Sequence, residues 1–255
     1  MKFQKKMLDE NFGDFNKLSS LSSSLMHRES LIYSYLFKKF RPYFQKTKQQ
    51  KVTCLGSMNL FEVQEIVKDF KRVNLINPYS ACLNQVVRLN VNKNVHVTFS
   101  PPELEKSYEK SDAIVSVHTL NFFNDAHLVV NSMAQSLCSG GYLFLAVQNA
   151  ESCVRRLDVS LGFLDNVYQI SPQEKLWRQK RWLDLKGLKR LVQQSGLEKV
   201  ATGGAMLKTQ TEAQINCLIE NGLVGEDYIH SLFDLGEDYP ELCNTVYIVA
   251  RRPKR

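Results

Sequence analysis

The groups in this chain best suited to chemistry are one histidine, one glycine turn and a small set of basic side chains. His118 directly follows the apolar run Ala113 to Val117, at the end of a predicted strand. An imidazole there is placed to act as a general base toward a bound nucleophile, or simply to line a pocket. Gly56 closes the run Lys51-Val52-Thr53-Cys54-Leu55 and is followed by an amphipathic segment, residues 59–70. Strand, glycine turn and helix in that order open a nucleotide-binding α/β unit, with the ligand over the carboxyl end of the strand. Arg155, Arg156, Lys180 and Arg181 have the donors to clamp a phosphate or carboxylate, and would serve equally well as solvated surface charges. Cys54, Cys82, Cys138, Cys153, Cys217 and Cys243 lie far apart with no C-x-x-C pair. That spacing argues against a zinc site or a disulfide framework and suits thiols in a reducing cytoplasm.

The elements that must position these groups follow from hydrophobic periodicity. Apolar runs predict strands at residues 52–55, 73–76, 95–99, 113–117 and 142–147, with two more at 199–202 and 245–251. Helical periodicity falls between them, at 59–70, 80–89, a short stretch after Pro102, and 126–138. A further helix at 184–195 stops at Gly196, a plausible C-terminal cap. Alternation of this kind implies a parallel sheet with helices on both faces. Ahead of it, residues 1–50 are expected to form a helical cap built on an aromatic amphipathic helix at 29–45, able to cover a pocket or pair with another chain. Residues 51–255 form the α/β domain, interrupted by an insertion at about 149–181 and a helical excursion at about 210–238.

With 255 residues, 44% hydrophobic and 23% charged, the chain can bury a full core. No apolar run is long enough to span a membrane, and the basic start is not followed by the apolar core of a secretory signal. The formal charge of +7 is compatible with a solvated surface or with attraction to an anionic substrate or an acidic-lipid membrane face. No nucleic-acid motif accompanies it.

The densest signal is Ser111 to Val147: the strand Ser-Asp-Ala-Ile-Val-Ser-Val, then His-Thr-Leu, then a helix ending Leu-Cys-Ser-Gly-Gly-Tyr-Leu-Phe-Leu-Ala-Val. With the seven-strand order, this resembles the class I S-adenosylmethionine (SAM)-dependent methyltransferases. That resemblance implies a Rossmann-like seven-stranded α/β fold, mostly parallel with an antiparallel last strand. Gly203-Gly204-Ala205-Met206-Leu207-Lys208 and Pro240-Glu241-Leu242-Cys243 are similar to a bacterial subgroup associated with sugar and small-molecule methylation, whose substrate lid corresponds to Ser152 to Phe163.

The resemblance further implies that SAM is held by Gly56 and Ser57 after strand one, Asn77 after strand two, Ser100 after strand three, and Val117 with His118 after strand four. His118 is the catalytic candidate, and Arg155 and Arg181 the substrate-binding ones. The chain departs from the family at several of these places. Cys54 replaces an acidic residue, Met58 and Leu60 replace glycines, and Asn77 replaces the carboxylate that would accept both ribose hydroxyls. Pro101-Pro102 stiffens the approach to the adenine position, and Asn121-Phe122 stands where relatives often carry Glu-His. Three readings stay open: a methyltransferase for a small polar or anionic acceptor, a catalytically inactive relative serving as a binding scaffold, or, on charge alone, a basic RNA-modifying methyltransferase.

Overall fold

The computed structural model describes residues 23–56, 60–77, 94–99 and 109–254. The expected helices at 80–89 and after Pro102 lie outside the described residues. Helix α1 (Ser23–Phe44) leads to strand β1 (Lys51–Leu55), α2 (Leu60–Val67), β2 (Arg72–Asn77), β3 (Val95–Phe99) and β4 (Ser111–Val117). A 3-10 turn, Leu120–Phe122, precedes α3 (Ala126–Ser136) and the long strand β5 (Leu137–Gln148). The insertion carries α4 (Cys153–Ser160) and α5 (Pro172–Leu176). Then come α6 (Leu185–Gln194), β6 (Glu198–Ala205), α7 (Glu212–Glu220), α8 (Glu226–Asp238) and β7 (Thr245–Arg251).

The seven strands form one sheet in the order β3-β2-β1-β4-β5-β7-β6. Neighbours from β3 to β5 pair in parallel, and β7 runs antiparallel to both β5 and β6. This is the Rossmann-like arrangement expected. The chain leaves β1 toward β2 on one side and returns to β4 on the other, so the order reverses between β1 and β4. In open α/β sheets the ligand crevice lies at that reversal, outside the carboxyl ends of the strands.

Two cores flank the sheet. On one face, α1 presents Tyr33, Phe37, Phe40 and Phe44 at helical spacing, the last three almost fully buried. Phe44 meets Phe144 at 4.7 Å and Phe70 at 5.2 Å between ring centroids, and Phe40 meets Phe144 at 5.0 Å. Each buried ring contributes about 1.5–3 kcal/mol. The aromatic stripe read from the sequence is therefore spent inside the molecule. On the other face, Val129, Val130 and Met133 of α3 and Leu185, Leu188 and Val192 of α6 close over Ile114, Leu143 and Ile248.

The helix expected at 126–138 ends early, and β5 takes in the Gly140-Gly141 pair. Helix α3 stops at Ser136, before the pair, which lies inside β5. Register jumps there from Ser111↔Leu137 to Ala113↔Tyr142, so β5 carries extra residues opposite β4. Gly140 takes φ 76°, and a Cβ on Gly141 would stand 2.9 Å from the Asp112 carbonyl oxygen. The glycines thus fit an irregularity in the ladder rather than a helix reversal. The excursion expected near residues 210–238 is two helices, separated where Gly222 adopts φ 65°.

Candidate functional site at the carboxyl edge of the sheet

The register places the ends of β3, β2, β1 and β4 side by side, with Asn77 opposite Phe99, Leu55 opposite Ile76, and Cys54 opposite Val115. Gly56 and His118 leave this edge from the two strands at which the order reverses. Val117 is buried at the end of β4. Asn77 closes β2, while Ser57 and Ser100 lie outside the described residues.

Gly56 adopts φ 124°, and its N–H donates to the Ile76 carbonyl at 3.0 Å. A Cβ there would stand 2.0 Å from Thr119 Oγ1. The Thr119 hydroxyl lies 2.8 Å from the Val117 carbonyl oxygen and 3.3 Å from that of Leu55. The glycine is thus required by the β4 turn closing over the β1 turn. This explains why one glycine survives at this position whatever a ligand needs.

His118 is locked from three directions. Its backbone takes φ 51° and donates to the Ala146 carbonyl at 2.8 Å. Its Nε2 lies 2.9 Å from Thr245 Oγ1 at the start of β7, and Tyr33 of α1 meets the ring edge-to-face at 5.8 Å. Burial pushes the imidazole pKa down to about 4, so the ring is neutral near pH 7. A general base works best with a pKa near the operating pH, and this one holds its proton too weakly to be a strong proton sink. The neutral ring, bonded to Thr245, forms a fixed polar wall at the end of β4.

That shift has a consequence for stability. The folded-state pKa lies below the ordinary value of 6.5, so on acidification the unfolded chain takes up this proton first. The stabilisation present above pH 6.5 is lost as pH falls toward 4, by about 3 kcal/mol for a shift of this size. Urea unfolding at neutral pH and near pH 4.5 should show the loss in the parent chain. His118→Asn, which tolerates positive φ, should flatten it.

The surroundings of Asn121 were not readable from the sequence. The residue sits in the 3-10 turn after β4, only 1% exposed, yet neither its amide nitrogen nor its amide oxygen has a hydrogen-bond partner. Nearby Asn149 shows the ordinary state of a buried amide. Its nitrogen donates to Glu241 and Cys243 carbonyls at 2.7 and 2.9 Å, and its oxygen accepts from Glu151 N–H at 3.1 Å. A buried amide without protein partners costs about 1–3 kcal/mol and is explained by a bound water, a ligand or a function. The Asn121 carbonyl meanwhile accepts the N–H groups of Lys180 and Arg181, at 2.9 and 3.2 Å, so the end of the insertion lies over this turn.

The two arginines expected to bind substrate point elsewhere. Arg155 is turned inward: Nε donates to Val167 carbonyl at 2.8 Å, Nη2 to Gln169 carbonyl at 2.5 Å, and Nη1 pairs with Glu174 at 2.8 Å. Its guanidinium also lies over the Trp182 ring at 3.7 Å. Arg181 donates to the carbonyls of Phe123 and Asn124 beyond β4. Both groups therefore tie the insertion together and to the sheet edge, and neither presents a free fork to an anion. Arg156 pairs with Glu151 at 2.6 Å.

Among the described residues, no three or more His, Cys, Asp or Glu side chains are grouped to hold a metal ion. The surface cleft bounded by Lys110, Leu137, Cys138, Ser139, Arg252 and Pro253 opens at the amino ends of β4 and β5, away from the site. No helix among the described residues is long and apolar enough to cross a membrane.

A sequence model described as a methyltransferase domain matches residues 53–202. No curated protein sequence matches the chain. Among solved structures, the fold is similar to N-methyltransferase NodS from Bradyrhizobium japonicum WM9 in complex with S-adenosyl-L-homocysteine. That match has a TM-score of 0.57 at 12% identity and covers 98% of each chain. It is also similar to a SAM-dependent methyltransferase from Mesorhizobium loti, with a TM-score of 0.55 at 12% identity over 84% of this chain and 97% of that one. A third similar structure is the Haloferax volcanii complex between the Trm112 methyltransferase activator and a methyltransferase. There the TM-score is 0.57 at 11% identity, over 90% of this chain and 96% of that chain. With β2 to β5 and most of β1 and β6 inside the matched segment, and the order reversal at Gly56 and His118, the chain belongs to the methyltransferase-domain family of class I SAM-dependent enzymes.

Proposed function

We propose that this chain transfers a methyl group from SAM to a small polar acceptor such as a sugar, a nucleotide-sugar or a related metabolite, in the cytoplasm. The observation that carries the reading is Asn121, a buried amide with an unused donor and an unused acceptor beside the strand-order reversal. Gly56, Asn77, Val117 and His118 border the place where the cofactor would lie, with Ser57 and Ser100 as further candidates from the sequence. When bound, SAM supplies a sulfonium methyl that is already electrophilic.

What remains for the protein is to bind, orient and keep water out. Asn121 can accept a hydrogen bond from an acceptor hydroxyl or amine and donate one back, fixing the direction of attack. The insertion, held by Arg155 and Arg181, covers that side. His118, neutral and bonded to Thr245, fixes the wall between the two ligands without carrying charge. The scaffold reading drew on missing family residues, and Gly56 does not decide between the two readings, because Thr119 requires it in either case.

Calorimetric titration with SAM and S-adenosylhomocysteine tests the cofactor, and release of the latter against a panel of nucleotide-sugars tests the acceptor. Asn121→Leu should keep cofactor affinity and match or exceed the parent in thermal stability, because an unpartnered buried amide is removed. Transfer should fall about 10- to 100-fold, as expected when a buried hydrogen-bonding group of roughly 1–3 kcal/mol is lost from the acceptor site. No heat with SAM at millimolar concentration would sink the proposal.

A further inference from the structure

The insertion between β5 and α6 is built inside out. No large apolar side chain from Cys153 to Asp184 belongs to the buried core, and the buried residue at its centre is Arg155. Val154, Leu164, Val167 and Ile170 are half-buried, and several larger apolar side chains face outward. Leu176 is 82% exposed, Phe163 73% and Leu161 58%, with Leu157, Tyr168 and Trp177 also exposed. Single exposed apolar residues are unremarkable, but this many on one short insertion mark an interaction surface.

The charge beside them selects the partner. Leu176 and Trp177 lie in Lys175-Leu176-Trp177-Arg178-Gln179-Lys180, which contains three cations and no acid. Lys175 and Lys180 are exposed, and Arg178 turns the chain at φ 60°. The whole chain carries +7. An apolar tip flanked by Trp, Lys and Arg is the composition that inserts at the headgroup boundary of an anionic bilayer, the rings and leucine entering and the cations meeting phosphate. A nucleic acid would use the cations but leave Leu176 and Phe163 in water. A second copy of the chain would need a self-complementary face, and a stretch whose charges are all positive repels its own image.

We propose that the outer surface of this insertion, led by Lys175 to Lys180, docks on anionic lipid membranes. The proposal stands independently of the acceptor, since it concerns the exposed side chains of the insertion, whose backbone at Lys180 lies over the Asn121 turn. The test is co-sedimentation of the full chain with phosphatidylcholine vesicles, with and without phosphatidylglycerol. Binding is expected only when the anionic lipid is present, and should weaken as salt rises.

Leu176→Ser with Trp177→Ser should reduce partitioning about ten-fold or more, since two apolar side chains lose their lipid contact. Lys175→Glu with Lys180→Glu should abolish the preference for anionic lipid. All four positions are exposed, so the variants should retain the parent's circular dichroism and melting temperature. The chain has two tryptophans, and Trp182 is stacked on Arg155. A blue shift of emission on vesicle addition should therefore persist in Trp182→Phe and vanish in Trp177→Phe.

Equal binding to neutral vesicles, or no binding to either kind, overturns the proposal. So does retention of binding in the Leu176→Ser, Trp177→Ser variant. Preferential capture of RNA, or a dimer that the same variant dissociates while vesicles go unbound, overturns it in favour of the other occupants.

Discussion

Arg155→Met opens the insertion and leaves the sheet intact. Arg155 is the group around which residues 153–182 are folded, joined to Val167, Gln169, Glu174 and Trp182 at once. The side chains of Arg155 and Glu174 are 7% and 13% exposed, so the pair is largely shielded from water. Removing one partner of such a pair costs about 3–5 kcal/mol, because the other charge stays buried. Glu174 would keep its bonds from Trp182 Nε1 at 3.0 Å and Ser171 N–H at 2.8 Å, but not its countercharge.

With the apolar side chains of the insertion only half-buried or exposed, little else offsets that loss. Hydrogen exchange should therefore rise from Cys153 to Trp182 while β4, β5 and β7 stay protected. Trypsin should cut at Lys175, Arg178 or Lys180 before it cuts elsewhere. Arg155→Lys should not rescue, since an ammonium cannot reproduce the three-way fork or the stacking. Arg155→Met with Glu174→Gln should recover part of the protection, because no charge is then stranded and glutamine still serves the capping box with Ser171. Unchanged exchange in the insertion of Arg155→Met would remove Arg155 from this role.

Gly56→Ala is expected to be the most damaging single methyl in the chain. The new Cβ would stand 2.0 Å from Thr119 Oγ1, and φ 124° is a region that L residues rarely adopt. Backbone strain accounts for about 1–3 kcal/mol. The displaced threonine adds a comparable amount, for a total of about 3–5 kcal/mol. Because the two turns meet at the strand-order reversal, SAM affinity should fall with stability.

Thr119→Ala alone should be mild. Combined with Gly56→Ala it should restore roughly half the lost stability, since the 2.0 Å contact is gone while the backbone strain and a 3.1 Å approach to the residue 119 Cβ remain. Chemical denaturation of the two single variants and the double variant measures the coupling. Strict additivity would show that Thr119 is not what requires the glycine.

The order of elements, the parallel sheet and the family were legible in the sequence because they rest on local periodicity. Apolar runs of strand length, helical stripes such as that of α1, and Gly196 capping α6 at φ 69° are properties of adjacent residues. The strand-order reversal, at which such sheets form their ligand crevice, followed from that element order. What each site residue does was not legible. Arg155 and Arg181 looked like anion clamps because guanidinium chemistry is the same whether its partner is a ligand or a carbonyl of the same chain. Asn121 looked like a loss because its meaning depends on being buried without partners, which composition cannot express.

The sequence by itself thus determined the fold, the family and the edge at which a ligand would lie. Only the tertiary structure decided that Gly56 answers to Thr119, that His118 is held neutral, that Asn121 keeps its hydrogen bonds unspent, and that the insertion turns several of its larger apolar side chains outward. Those four facts depend on contacts between residues far apart in the chain and on which groups are removed from water, and neither quantity is encoded in local spacing.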